Sequence, residues 1–303
     1  MSGPTPGQKT VLITGCTPGG IGHSLCLEYQ RKGLHVIATA RRPEVIADLA
    51  GLGMSTLALD VTDAESIKKC HEEVAEITGG KLDILVNNAG RTHTHPALDI
   101  SLPDVRQTFE TNVFSIMAMV QAFIDQLIAA KGLIINISSV SSVSPYLFGS
   151  VYCASKAAVN AYSRTLRLEL APLGVRVMVS VTGTVKSNTA SHGHRTLPED
   201  SLYWKVRHIF EWRLQFSQTQ NTVDTETFAH ELVTKSLRPE APVWARHVFG
   251  RPDWFWFGGL AQMAWLGHSI SEGLVDMVSW EKFRLPEITE ILEEDQAQRR
   301  QLN

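Results

Sequence analysis

The chain has 303 residues, 44% hydrophobic and 19% charged, enough apolar material to bury a full core and too much for a disordered chain. A formal net charge of -3 supplies no basic footprint of the kind a nucleic-acid-binding face needs. The polar start carries no signal-peptide pattern and Cys16, Cys26, Cys70 and Cys153 form no CxxC pair, so the expectation is a cytoplasmic protein with reduced, buried thiols. Residues 10–15 (TVLITG) are a β-branched run ending in glycine, and a Gly-rich turn leads into helical spacing from Ile21 to Lys32. The alternation then recurs. Apolar runs stand at 34–39, 55–59, 82–86, 132–138 and 174–181, with helical stretches near 44–50, 63–78, 103–130 and 151–171 between them. A helix near 224–237 and a strand near 243–249 (VWARHVF) predict a catalytic domain over 1–250. Strands apolar on both faces that alternate with helices predict an α/β fold, a doubly wound parallel sheet with helices on both faces.

Two stretches break the alternation. Residues 183–222 turn from polar to aromatic (Tyr203, Trp204, Phe210, Trp212, Phe216), which suits a mobile substrate loop and short helices over a pocket. The extension 251–303 carries Trp254, Phe255, Trp256, Phe257 and Trp265, then a charged helix near 286–300. Gln262, His268, Glu272 and Asp276 interrupt it too often for a bilayer span. Its rings suit a flap over the pocket, a partner-subunit contact, or a peripheral seat on the endoplasmic reticulum or lipid droplets.

The turn Thr14–Gly22 (TGCTPGGIG) sits where the first strand meets the first helix, so Gly15, Thr17, Pro18, Gly20 and Ile21 are candidates to cradle a pyrophosphate at the helix N-terminus. Ile21 stands where a nucleotide-triphosphate loop needs lysine, which favours a dinucleotide. At the end of the second strand Ala40 occupies the place of the carboxylate that holds an NAD ribose, and Arg41 and Arg42 follow it. Guanidinium groups there point to the 2'-phosphate of NADPH; the bland reading is a solvated basic turn. Asp60 and Val61 follow the third strand, and Asn88, Ala89 and Gly90 follow the fourth, all placed to meet the adenosine. Tyr152 and Lys156 are four apart on a predicted helix. A phenol of ordinary pKa about 10 becomes a general acid/base when a cation on the same helix face favours its anion, although such spacing also arises by chance.

With these motifs in register, the chain resembles the short-chain dehydrogenase/reductase family over residues 8–250 and so implies a Rossmann fold. The resemblance implies Ser139, thirteen residues before Tyr152, as the catalytic serine, and Asn112 as holder of a water that relays protons to Lys156. It also implies that Val185 meets the nicotinamide carboxamide and that Ser187 approaches the phosphates. Two positions depart from the family pattern: the Gly-rich turn is one residue longer, and Thr182 replaces a proline, which is expected to loosen the substrate loop.

The implied reaction is NADPH-dependent reduction of a bulky, lipophilic ketone, with Tyr152 protonating the alkoxide, Ser139 donating to it, and Lys156 holding the ribose and lowering the phenol's pKa. The longer turn, the Arg pair and the aromatic tail resemble a fungal subgroup similar to NADPH-dependent 1-acyldihydroxyacetone-phosphate reductases, some of whose members serve secondary-metabolite pathways instead. The alternatives are the oxidative direction, as in a lipid or steroid alcohol dehydrogenase, and a non-catalytic NADPH-binding sensor or scaffold. A phosphate-bearing ketone needs cations, for which Arg91, Lys186, Arg195, Lys205 and Arg207 are candidates. His93-Thr94-His95 and His192-Gly193-His194 find no recognisable further ligand, so no metal is expected and these histidines are placed at the pocket mouth or in water. The helices at 103–130 and 151–171 are apolar beyond one face, which predicts a homodimer or homotetramer.

Overall fold

A computed structural model describes residues 3–188, 195–242, 244–246 and 248–302. The apolar runs form β1 Thr10–Ile13, β2 His35–Ala40, β3 Ser55–Ala58, β4 Ile84–Asn87, β5 Leu133–Ile137 and β6 Arg176–Thr182. Between them lie α1 Ile21–Arg31, α2 Ala47–Gly51, α3 Ala64–Thr78, α4 Leu102–Phe109, α5 Ser115–Ala130 and α6 Ser150–Leu170. The segment after β6 continues as β7 Val185–Lys186, α7 Arg207–Thr219, β8 Val223–Asp224 and α8 Thr225–Ser236. The chain ends with β9 Trp254–Phe257, α9 Ala261–Ile270, α10 Glu272–Lys282 and α11 Leu285–Leu302.

All seven strands of the main sheet are parallel, in the order β3-β2-β1-β4-β5-β6-β9. β1, β2, β4 and β5 are buried along their whole length because helices cover both faces, which is why their sequences do not alternate. Leu25, Tyr29 and Phe228 fill the core on one face, and Phe123, Leu127 and Leu166 fill it on the other. The strand order reverses between β1 and β4, and the crevice at the carboxyl ends of these strands is where a doubly wound, Rossmann-type sheet binds its ligand.

The seventh strand is not where the sequence placed it. Within the expected strand at 243–249, residues 244–246 and 248–249 are turns, with Trp244, Val248 and Phe249 exposed. The aromatic run Trp254–Phe257 takes the sheet edge instead, paired in register with Val179–Thr182. Asp253 fixes that register: its carbonyl accepts from Val179 N at 2.9 Å and Arg167 Nη2 at 2.9 Å, while its carboxylate pairs with Arg176 at 2.8 Å. The sheet therefore extends past residue 250 into the extension.

The helix expected over 103–130 is continuous but contains a π-helical turn at Glu110–Phe114. By length and composition Leu102–Ala130 is apolar enough to cross a bilayer; here Val120, Phe123 and Leu127 pack on the sheet. The wider turn carries Asn112, in keeping with the habit of π-bulges of sitting at functional sites.

Candidate active site

A cleft of about 1240 Å³ opens at the β1/β4 switch point and runs from the Gly-rich turn to the C-terminal helices. Of the cofactor candidates, Gly15, Thr17, Pro18, Gly20, Ile21, Arg41, Asp60, Val61, Asn88, Ala89, Gly90, Val185 and Ser187 line it. Arg42 does not line it and is exposed.

The turn is a backbone cradle. Gly15 and Gly19 adopt φ of +72° and +74°, which suits glycine. A Cβ on Gly22 would lie 2.4 Å from Gly15 O and 2.5 Å from Asn88 Nδ2, so the first turn of α1 approaches β1 more closely than any side chain permits. Asn88 Nδ2 donates to Thr14 O and Gly15 O at 2.8 and 3.0 Å, tying the end of β4 to the turn. A further clasp comes from the segment after β7: Asn188 Nδ2 donates to Pro18 O at 3.0 Å and Asn188 N to Gly19 O at 3.2 Å. Sequence reasoning missed Asn188, since nothing local marks it. At the adenosine end burial alone would raise the Asp60 carboxyl, but two bonds from Thr62 and the nearby Arg41 charge hold it below its ordinary value.

Ser139, Tyr152 and Lys156 face the same cleft. Ser138 turns its hydroxyl to Lys156 O at 3.3 Å, while Ser139 Oγ accepts from Ser141 N at 3.1 Å and bonds the Tyr152 phenol. Lys156 is buried and its Nζ donates to Ile137 O at 2.8 Å, standing 5.9 Å from the Tyr152 ring centroid. Burial pushes the phenol up to about 12, against the pull of the Ser139 hydrogen bond, and pushes the ammonium down to about 8. The expected depression of the phenol by Lys156 is therefore not seen, because desolvation outweighs every other influence on either group. Asn112 lies beneath the cleft: Nδ2 donates to Arg91 O at 3.0 Å and Ser155 Oγ at 3.1 Å, and Oδ1 accepts from Arg91 N at 2.8 Å. Its amide protons are fully used.

The segment after β6 is not loosened by Thr182. Thr182 stays in the strand, and Gly183 N donates to Phe257 O at 2.9 Å. Thr184 and Gly259 then exchange backbone bonds at 2.8 and 3.0 Å. Ser187 N donates to Gln218 Oε1 at 2.9 Å, so this part of the expected mobile loop is tied to α7.

The substrate half is walled by Tyr146, Arg213, Leu214 and Phe216 on one side, and by Met263, Leu266, Ile270, Leu274, Val278 and Lys282 from α9 and α10 on the other. The expected cations are engaged elsewhere or lie off the wall. Arg91 and Arg195 share Asp104, Lys205 reaches Asp295 at 3.3 Å, Arg207 stacks 5.2 Å over Trp204, and Lys186 is exposed outside the cleft. No local pattern singles out Arg213 or Lys282, because only the fold brings α7 and α10 to this wall.

His93 is buried instead of lying at the mouth. Its Nδ1 meets Thr108 Oγ1 at 2.8 Å, and burial together with the Arg195 charge pushes it down to about 4. His95 sits against Phe210, its centroid 6.0 Å away, and His192 and His194 lie outside the described residues. Among the described residues no group of three or more His, Cys, Asp or Glu side chains is placed to hold a metal ion.

Residues 9–197 match the family model for short chain dehydrogenase. The chain is 42% identical over 241 residues to a short-chain dehydrogenase of Hypocrea virens, covering 79% of this chain and 83% of the relative. It is 40% identical over 260 residues to an NADPH-dependent 1-acyldihydroxyacetone phosphate reductase of Schizosaccharomyces pombe, covering 80% and 86% of the two chains. A solved short-chain dehydrogenase from Streptomyces avermitilis superposes with a TM-score of 0.75 at 27% identity, over 93% of this chain and 99% of that one. With the motifs of the family set around one cleft of a doubly wound parallel sheet, this chain belongs to the short-chain dehydrogenase family of oxidoreductases.

Proposed function

We propose that the protein is an NADPH-dependent carbonyl reductase that converts a bulky, lipophilic ketone to a secondary alcohol. The observation that carries this reading is the convergence of the Ser139 hydroxyl, the Tyr152 phenol and the Lys156 ammonium on one cleft whose far end is the glycine cradle. The residues present fit a dinucleotide. The cradle around Gly15 and Gly22 offers helix N-terminal amides to a pyrophosphate, and Arg41 lines the adenosine end as a partner for a 2'-phosphate. NADPH, when bound, supplies the hydride.

The chain's own residues supply the proton and stabilise the charge. At neutral pH a phenol pushed up to about 12 is protonated, the state a proton donor needs. The Ser141 N–H bonds to Ser139 Oγ, and the Ser139 hydroxyl, which bonds the Tyr152 phenol, turns its proton to the substrate oxygen as charge develops there. Lys156 uses one of its three donors on Ile137 O and keeps two, for a ribose hydroxyl and for the phenolate left after proton transfer. With its amide protons spent, Asn112 contributes to a proton relay only through an oxygen. Val185 and Ser187 line the same cleft, and we assign them to the carboxamide and the phosphates.

The apolar lining from α9 and α10 favours a large, greasy ketone. The Schizosaccharomyces relative makes an acylated dihydroxyacetone phosphate one candidate, and a secondary-metabolite ketone is the other. We further place the protein in the cytoplasm as a homodimer or homotetramer through the exposed Phe114, Ile128 and Leu168. Trp265, Met277 and Trp280 on α9 and α10 are exposed, which supports peripheral contact with a lipid surface. The direct test is loss of NADPH absorbance with long-chain 2-alkanones, aryl ketones and 1-acyl dihydroxyacetone phosphate. Tight NADPH binding without turnover of any of them would favour the sensor reading instead.

A further inference from the structure

The substrate half of the cleft holds a buried charge that bonds the Tyr146 hydroxyl but has no carboxylate partner among the described residues. Arg213 on α7 is 1% exposed yet lines the cleft, and its Nε and Nη2 make no hydrogen bond to any described residue. The guanidinium lies 3.1 Å from the Tyr146 ring centroid, with the Phe283 and Phe216 centroids 5.5 and 5.9 Å away. Ring faces attract a cation but do not accept its in-plane N–H groups as a carboxylate does. Arg213 takes part in no ion pair among the described residues, whereas Arg91 and Arg195 are both answered by Asp104. A buried, unpaired cation is strongly unfavourable unless something completes its bonding.

The two orphaned nitrogens share the side-on edge of the guanidinium, the edge that meets two oxygens of a carboxylate or phosphate at once. A second cation stands nearby: Lys282 at the end of α10 lines the cleft, lies 5.6 Å over the same Phe216 ring, and has no ion pair among the described residues. No carboxylate from α7, α9 or α10 lines the cleft, and the other lining groups of α9 and α10 include Ile270, Leu274 and Val278. The charge lines the same cleft as Ser139, Tyr152 and Lys156.

We propose that Arg213 receives an oxyanion, carboxylate or phosphate, carried by the ketone substrate, with Lys282 as a second contact and the substrate's apolar chain lying along α9 and α10. The proposal rests on the reductase reading of this cleft, but anion binding can be measured apart from turnover. Full-length protein with NADP+ present is titrated calorimetrically with decanoate, decyl phosphate and decanol. One of the anions is expected to bind at least tenfold more tightly than decanol, and the tighter of the two names the oxyanion. Arg213→Met, of similar volume and without charge, should reduce that preference to within threefold. Arg213→Lys keeps the charge among the rings but lacks the side-on edge; should the Met variant not fold, it is expected to lose most of the preference. Equal affinity for anions and alcohol in the wild type, or a preference that survives substitution, overturns the assignment. Failure of every ketone to consume NADPH would remove the reductase reading and leave these affinities standing.

Discussion

The two ends of the cleft are built in opposite ways. The cofactor half comes mostly from strand ends and turns within the first ninety residues or so, joined by Val185, Ser187 and Asn188, and is packed so closely that a single methyl on Gly22 would meet Gly15 O at 2.4 Å. The substrate half is assembled from helices far along the chain and stays open, with Met263 and Ile270 lining it while 59% and 64% exposed. A tight, backbone-made site has one shape and so fixes the reagent; an open wall of side chains tolerates exchange and so selects the reactant. Substitutions in the first should hurt every ketone alike, and substitutions in the second should discriminate among ketones.

The sharpest way to break this contrast is at the seam. Tyr152→Phe should fold, bind NADPH as before and lose turnover on all ketones by about 10³-fold or more, the scale at which a positioned general acid acts. Stopped-flow turnover beside a fluorescence titration of NADPH measures both. Losses that varied with the ketone would make the phenol a substrate contact instead of the shared acid. Next in size is Gly22→Ala. Overpacking of about 1–3 kcal/mol predicts roughly 10–100-fold weaker NADPH binding for every substrate pair. Unchanged affinity would show that the cradle yields, and the contrast in rigidity would fail.

Arg41→Ala comes third. Loss of a charge-assisted bond of about 1.5–3 kcal/mol should cut the NADPH-over-NADH preference in kcat/KM by roughly 10–100-fold. Arg42→Ala should leave that preference nearly intact, because Arg42 does not line the cleft. Equal effects from the two would assign the preference to the general charge of the strand end.

The same contrast explains what could be read from the chain. The Gly-rich turn, Asp60, Asn88 to Gly90 and the Tyr152–Lys156 spacing are local patterns, each carried within a few residues by one strand end or helix face, and the fold brings them to one cleft. Arg213 and Lys282 are nearly seventy residues apart and meet the same ring only after α10 folds back, so no local pattern marks them. The edge strand failed for a related reason. VWARHVF and WFWF both favour strands, and the choice lay with Asp253, whose partners Arg167 and Arg176 stand on α6 and β6, more than seventy-five residues back in the chain. The signs of the pKa shifts were equally hidden, since the spacing of Tyr152 and Lys156 says nothing of how deeply both are buried.

Burial at the seam also gives a smaller, stability-level test. Lys156 is pushed from its ordinary 10.5 down to about 8, so between these values the unfolded chain holds more protons than the folded one. The penalty is fully present below about pH 8 and fades as pH rises toward 10.5, so wild-type stability gains a rising component across that window. Lys156→Met should lack that component, a difference of about 1–3 kcal/mol in urea unfolding between pH 7.5 and 10. It should also be inactive. Parallel pH profiles for the two proteins would mean that the ammonium is solvated and not desolvated beneath the cleft.

The smallest effect belongs to the open wall and decides whether it selects by chain length. Ile270 lines the cleft but is 64% exposed, so a bound chain covers only part of a side chain whose full burial is worth about 1.5–3 kcal/mol. Ile270→Ser should therefore weaken a long-chain ketone by about 1 kcal/mol, near fivefold in KM, with kcat kept and NADPH affinity untouched. A short methyl ketone, too small to reach α9 from the Tyr152 hydroxyl, should show no change. Equal losses for long and short ketones would mean that α9 acts through the shape of the whole cleft, and the division between a rigid reagent site and a selective wall would not hold.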